Sequence, residues 1–172
     1  FLSHRGALLG LEEAAGVGRL DLVQTFFQQD GRLKATQAQL EAGFGWACEY
    51  GRVSVVEFLL DKGVDLRVQP YGQTALHWAV IGGQSDIIPM LLARGAPLEE
   101  KNVHGGTVLG QALWSALHGD SRIDYEPILE SLLHAGAQIK PGVLAWLAQE
   151  KGRSASVKRR LADALRRHGA TS

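Results

Sequence analysis

The chain has 172 residues, of which 45% are hydrophobic and 21% are charged, so it has the length and apolar content for one domain with a sizeable core and is not a disordered polypeptide. Its 18 basic and 18 acidic residues balance, so bulk electrostatic attraction to nucleic acid or to a membrane is not expected. No apolar run approaches the roughly 18 residues of a membrane span.

The cysteine content and the first residue bear on cellular context. The single cysteine, Cys48, has no partner for an intramolecular disulfide and fits a reducing compartment, so we expect a cytoplasmic location. Because the sequence begins at Phe1 rather than at a methionine, we expect a fragment or a processed product of a longer chain.

A helix–turn–helix pattern recurs along the first hundred residues. Its copies are AAGVGRLDLVQTFFQQDG (14–31), ACEYGRVSVVEFLLDKGV (47–64) and AVIGGQSDIIPMLLARGA (79–96). Each begins with alanine, has glycine at the fifth place, then two apolar pairs, and has glycine at or next to its end. A period of about 33 residues indicates an array of stacked supersecondary units, each of which buries its apolar face against the next.

The pattern continues with an interruption. GGTVLGQAL (105–113) repeats the start of the third unit, but LLHAGA (132–137) follows about eight residues late, which predicts an insertion near 113–123. LRRHGA (165–170) marks a last copy. The predicted units are approximately 4–36, 37–68, 69–101, 102–140 and 141–172, with the first and last degraded.

The third unit predicts its helices most clearly. Thr74 is a candidate N-cap, and Gly82-Gly83 ends the first helix. The second helix is predicted over about 85–94, with a buried stripe of Ile87, Ile88, Leu91 and Leu92. Pro89 falls inside it, where the missing N–H would cost one hydrogen bond. Pro127 is expected in the first turn of a later helix.

The C-terminal stretch is basic, with eight basic residues against two acidic ones from Lys140 onward. Val157, Leu161 and Leu165 recur every four residues within it, which predicts a capping helix with one apolar stripe. A nucleic-acid patch is the alternative; a solvated charged face is favoured because no aromatic residues interleave the charges.

The third unit also contains TALHWA (74–79), and with the period near 33 residues this resembles the ankyrin-repeat family over nearly the whole chain. Ala75 and Val108 replace the proline usual in that family, and Gly110 replaces its histidine. The resemblance implies an all-α solenoid of helix–turn–helix pairs with projecting hairpin loops. It also implies a structural hydrogen-bonding role for His77.

No catalytic or cofactor chemistry is expected. His4, His104, His118, His134 and His168 lack the spacing of metal-ligand motifs. Cys48 has no histidine nearby to activate it, and the glycines follow helix ends rather than a phosphate-binding motif. We therefore predict a protein that is not an enzyme and holds no cofactor or metal.

Two readings apply to the tryptophans. Trp46 and Trp78 occupy the same phase of successive units, which favours packing between stacked helices. Trp114 falls out of that phase, and it either lies exposed on the concave face or packs beneath the insertion.

The resemblance implies a non-catalytic protein–protein interaction module, which we expect to be a monomer that binds an unidentified protein and neither nucleic acid nor membrane. The alternative is a structural spacer or intramolecular clamp within a longer multidomain protein. The contacts implied on loop tips and first helices are Glu49, Tyr50, Arg67, Gln69, Tyr71, Gln73, Ile81, Lys101, Val103, His104, Trp114 and Ser115.

Overall fold

The computed structural model describes residues 9–171, which form ten α-helices arranged as five consecutive pairs. The helices are α1 (Leu11–Val17), α2 (Leu20–Thr25), α3 (Gln37–Glu49), α4 (Val53–Asp61), α5 (Ala75–Ile81), α6 (Ile87–Ala93), α7 (Val108–His118), α8 (Glu126–His134), α9 (Val143–Gln149) and α10 (Ala155–Arg167). The all-α solenoid predicted from the sequence is confirmed. His4 and the start of the first predicted unit lie outside the described residues, as does Ser172.

Threonine begins three of the first helices of the pairs. The hydroxyl oxygens of Thr36, Thr74 and Thr107 accept hydrogen bonds from backbone N–H groups three residues later, at 3.2, 3.4 and 3.4 Å. Each satisfies a donor that the first helical turn leaves without an intrahelical acceptor. The predicted N-cap at Thr74 is confirmed.

The first helices of the pairs stack through small residues. α1, α3, α5 and α7 pack in series, and the alanine that begins each repeat pattern (Ala14, Ala47, Ala79 and, in the fourth unit, Ala112) is buried. Gly82 ends α5 so near α3 that a Cβ atom there would lie 1.9 Å from the carbonyl oxygen of Glu49. The backbones of neighbouring units therefore approach closely, as the repeated alanine predicts.

The second helices supply the other side of the core, with two corrections to the predicted α6. Ile87, Ile88 and Leu91 are fully buried, but Leu92 is only half-buried. α6 begins at Ile87, so Pro89 lies in its first turn, where no intrahelical hydrogen bond is lost. The bond loss expected at Pro89 was wrong because the helix starts later than predicted.

The stretch where extra residues are predicted includes the end of α7 and a loop that returns to the third unit. Tyr125, at the end of that loop, is buried, and its hydroxyl donates to the carbonyl oxygen of Ile81 at 3.2 Å. From the other side, the guanidinium of Arg153 donates to the carbonyl oxygen of Gly119 at 2.9 Å. The two hydrogen bonds hold the loop against the third unit and against the segment before α10. The loop does not cover Trp114, whose side chain is 54% exposed.

The last helix packs through one apolar stripe. Leu161 and Leu165 are buried and Val157 is half-buried. Arg160 lies 3.2 Å from a carboxylate oxygen of Glu126. The basic face of α10 is thus partly neutralised by acidic residues of α8.

Candidate protein-binding groove

The loop that leads into α7 is held by a buried histidine of α5. Nδ1 of His77 lies 2.8 Å from the hydroxyl oxygen of Thr74, and Nε2 lies 3.1 Å from the carbonyl oxygen of Gly106. A carbonyl only accepts, so Nε2 carries the proton and Nδ1 accepts from the hydroxyl. Burial lowers the pKa of His77, which favours this neutral form. These bonds agree with the structural role that the resemblance implied.

Asn102 begins a chain of polar contacts that runs from the loop tip along α7. Its side-chain oxygen accepts from the backbone N–H groups of His104 and Gly106, at 3.0 and 2.9 Å. Its amide nitrogen donates to Gln111 at 3.2 Å, and the amide of Gln111 donates to the hydroxyl oxygen of Ser115 at 3.0 Å. This series of hydrogen bonds fixes the loop in one conformation relative to α7.

A groove of about 1080 Å³ lies between α7 and the start of α9. It opens here because α9 does not pack closely against α7, whereas the earlier first helices stack directly. Two tryptophans with large exposed surfaces line it, Trp114 at 54% and Trp146 at 37%. Its other polar and apolar lining includes Gln73, Ile81, His104, Gln111, Ser115, Tyr125 and Lys140. We call this space the α7–α9 groove.

One lining residue has an unused acceptor. Gln73 is only 7% exposed, and its side-chain oxygen is buried without a hydrogen-bond partner among the described residues. A buried polar atom without a partner costs about 1–3 kcal/mol. A ligand or partner that brought an N–H or O–H donor into the groove would remove that cost.

A second surface consists of four aromatic side chains on α3, α5 and the loop between units two and three. The ring centre of Trp46 lies 6.0 Å from that of Tyr50, 5.5 Å from that of Tyr71 and 5.5 Å from that of Trp78. Both tryptophans are half-buried, and their contact agrees with the packing between stacked units predicted for them. The tyrosines are 50% and 62% exposed. We call these four residues the aromatic strip.

Tyr71 is held outward by an unusual backbone conformation. Its φ of 56° is in the left-handed region, alone among the non-glycine residues between 9 and 171. The next residue, Gly72, has φ 74°, and its carbonyl oxygen accepts from the backbone N–H of Val103 at 2.8 Å. The left-handed region costs about 1–2 kcal/mol for a residue with a Cβ atom. The contact between neighbouring loop tips offsets that cost and presents the tyrosine ring to solvent.

The residues predicted to bind a partner divide into three groups by exposure. Those exposed as expected are Tyr50, Arg67, Gln69, Tyr71, Lys101, Val103, His104 and Trp114. Glu49 and Ile81 are half-buried. Gln73 and Ser115 are buried, at 7% and 3%, so the expected exposure was wrong for both, because Gln73 precedes the capped start of α5 and Ser115 faces into the stack from α7.

The structure brings these residues to two places rather than one. Ile81, His104 and Trp114 line the α7–α9 groove, together with Gln73 and Ser115. Tyr50 and Tyr71 belong to the aromatic strip. Arg67 lies apart from both and pairs with Glu100 at 3.4 Å.

Sequence reasoning missed Trp146 and Asn102. Trp146 lies in the degraded last unit, where no motif fixed its phase, and its apolar neighbours in VLAWLA (143–148) gave no sign that its ring would be exposed. Asn102 had a signal too, because asparagine before a glycine pair is typical of a turn.

Charge around the two surfaces is mixed. Asp120 at one end of the groove pairs with Arg122 at 2.5 Å, which lowers the pKa of Asp120 to about 2. Burial raises the pKa of Glu49, and one of its carboxylate oxygens has no hydrogen-bond partner among residues 9–171. Nothing in this pattern selects a strongly charged ligand.

The described residues offer little for catalysis. Cys48 is fully buried, and burial raises the pKa of its thiol, which disfavours the reactive thiolate. Glu130, His134 and His168 form the one grouping in residues 9–171 with the donor atoms of a metal site, and they do not line the groove. Within the same residues, no helix has both the length and the apolar character to cross a membrane.

Comparison with known proteins finds one family and several curated relatives. The family described as ankyrin repeats (3 copies) matches residues 11–103, more than half of the chain. E3 ubiquitin-protein ligase hecd-1 of Caenorhabditis elegans is 34% identical over 67 residues, which are 39% of this chain and 2% of that protein. Ankyrin repeat and SOCS box protein 11 of Mus musculus is 28% identical over 103 residues, which are 60% of this chain and 32% of that protein.

The chain thus spans no more than about a third of the length of these curated relatives. Ankyrin repeats in general mediate protein–protein interaction and are not catalytic. The family match, the period of about 33 residues and the stacked helix pairs lead to one conclusion: the chain belongs to the ankyrin-repeat family.

Proposed function

We propose that this protein binds a partner protein through the concave side formed by its loop tips and first helices, with the α7–α9 groove at the centre of the contact. The observation that carries the proposal is the pair of exposed tryptophans in the groove, Trp114 and Trp146. Tryptophan is enriched among the residues that dominate binding energy in interfaces.

The groove also has the polar features of a binding site. Apolar walls with a few fixed polar groups are typical of sites that orient what they bind. The Asn102 and Gln111 side chains are fixed by hydrogen bonds, and the oxygen of Gln73 lacks a donor. A backbone N–H or an amide of the partner would supply that donor.

The aromatic strip extends the proposed contact to the second and third units. Tyr50 and Tyr71 present large surfaces with few rotatable bonds, so holding them in an interface costs little conformational entropy. His104 lies at the loop tip between units three and four and lines the groove. In the sequence it falls between the last residue of the aromatic strip, Trp78, and Trp114 of the groove.

In this proposal the partner is a protein rather than a nucleic acid. The ankyrin-repeat chain itself acts as a monomer. Arg160 and Arg167 of the basic cap helix pair with Glu126, and Arg166 pairs with Asp163. These pairs reduce the positive charge available to a phosphate backbone.

A photo-crosslinking residue tests the proposed surface. Placed at Trp146 it should capture a partner, and placed at Glu57, exposed on the second helix α4, it should not. The captured protein, once purified, should compete for crosslinking at Trp146. Equal capture at both positions would show that the crosslinking does not depend on the groove.

A second candidate is a spacer or intramolecular clamp within a longer protein. The observation that favours it is the small share of the relatives' length that this chain covers, 2% and 32%. The same crosslink would then join Trp146 to another segment of the same polypeptide, which mass spectrometry of the linked peptides distinguishes from a separate partner.

A further inference from the structure

One carboxylate and two imidazoles meet where the last helix ends beside α8. Glu130 and His134 lie four residues apart on one face of α8, and His168 directly follows α10. One ligand atom from each of the three lies within 4.8 Å of the others. We propose that Glu130, His134 and His168 form a binding site for a divalent transition-metal ion, for which Zn²⁺ is the best match.

The donor set fits that ion. Two imidazole nitrogens and one carboxylate oxygen are ligands of catalytic zinc sites, with a water molecule as the fourth. Metal–ligand bonds of about 2.0–2.2 Å in a tetrahedron separate the ligand atoms by about 3.3–3.6 Å. Oε2 of Glu130 and Nε2 of His168 are now 2.7 Å apart, sharing a hydrogen bond. An ion would replace the shared proton and separate the two atoms slightly.

The third ligand is free to adjust. The side chain of His134 is 72% exposed, and its ring centre lies 4.7 Å from that of His168. Nδ1 of His134 lies 2.8 Å from the carbonyl oxygen of Glu130. Nδ1 is also the ring nitrogen that faces the carboxylate, 3.8 Å from Oε2 of Glu130, so a small movement of the exposed ring would exchange its hydrogen bond to the carbonyl for a bond to the ion.

The surrounding charges define how the carboxylate would bind. Arg167 donates to Oε1 of Glu130, which leaves Oε2 for the ion. The positive charge of Arg167 opposes a cation, but Glu126 lies 3.5 Å from the same guanidinium and offsets it. The site therefore needs the strong bonds of a transition metal, and Mg²⁺, which prefers several oxygen ligands, should bind poorly.

The repeat explains how the site forms. His134 and His168 lie about one repeat apart in sequence, and stacking of adjacent units places residues at that separation side by side. A bound ion would connect α8 to the end of α10 and so hold the terminal helix pair on the array. The site lies apart from the α7–α9 groove, so the inference does not depend on the proposed function.

Melting temperature measures the proposed binding. The protein, first treated with a chelator that is then removed, is melted with and without ZnCl₂. At free zinc about 100-fold above the dissociation constant, the melting temperature should rise by about 5–10 °C, and EDTA should reverse the rise. His134→Gln should lose most of the rise and still fold, because His134 is exposed and the His168–Glu130 contact remains. His104→Gln, which changes an exposed histidine elsewhere, should keep it.

Cobalt gives a direct readout of the same site. Co²⁺ bound by the wild type should show visible absorption bands that Zn²⁺ displaces and that His134→Gln and His168→Gln weaken. The proposal is wrong if zinc does not raise the wild-type melting temperature. It is equally wrong if His134→Gln keeps the full rise, or if Mg²⁺ produces the same rise as Zn²⁺.

Discussion

Gly82, where α5 ends against α3, should not tolerate alanine. A Cβ atom there would lie 1.9 Å from the carbonyl oxygen of Glu49 and 2.8 Å from its carbonyl carbon, both in the backbone. Helices α3 and α5 would have to separate, and such overpacking typically costs about 1–3 kcal/mol. The hydrogen bond from the amide of Gln84 to the same carbonyl, at 2.7 Å, would be strained or lost, at about 0.5–1.5 kcal/mol.

Together these effects should lower the free energy of unfolding of Gly82→Ala by about 2–4 kcal/mol, or the melting temperature by about 5–15 °C. Urea denaturation followed by circular dichroism measures the loss. Gly110→Ala is the matched control, because Gly110 is exposed in α7 and the nearest atom to its added Cβ would be 3.8 Å away. That change should stabilise the protein by about 0.5–1 kcal/mol. If Gly82→Ala also stabilises, the stacked helices are not as close as described.

Two further predictions concern the core and the buried histidine. Leu91→Ala should lower the free energy of unfolding by about 2–5 kcal/mol because Leu91 is fully buried. Leu92→Ala should lower it clearly less because Leu92 is half-buried. Equal losses of unfolding free energy in urea denaturation would contradict the assigned core face. Burial lowers the pKa of His77 below 6.5, so the unfolded chain binds more protons, and stability should fall as the pH drops from about 6.5 toward the lower folded value. His77→Gln should lack this part of the pH dependence, and an unchanged slope would refute the assignment.

The sequence predicted the architecture because the repeat constrains it at many positions at once. The recurring alanine, the apolar pairs and the glycine after each helix each have a packing or backbone reason, and they recur in phase. The start of α6 was predicted two residues early because Ser85 and Asp86 look compatible with a helix, while the turn after Gly83 extends through them. Leu92 was assigned to the buried stripe because it lies four residues after Ile88, but near the end of α6 it is only half-buried.

The candidate site was predicted less completely because exposure depends on contacts between units. Gln73 and Ser115 are polar residues, and nothing in the sequence near them indicates that both side chains are buried between neighbouring units. The groove itself arises from the separation of α9 from α7, in the units where the motif is weakest. The Glu130–His134–His168 cluster was hidden because its histidines are about one repeat apart rather than within one motif.

The central claim, that the groove binds a partner protein, is tested most directly by pairing affinity with stability for single variants. Trp114→Ala and Tyr71→Ala remove rings that are 54% and 62% exposed and that each contact one neighbouring ring, so both should unfold within about 1.5 kcal/mol of the wild type. Against the purified partner, titration calorimetry should show that at least one of them weakens binding by more than about 1 kcal/mol, while Glu57→Ala on α4 changes nothing. If both variants bind with full affinity, or lose affinity only in proportion to lost folding, the groove and the aromatic strip are not the binding surface.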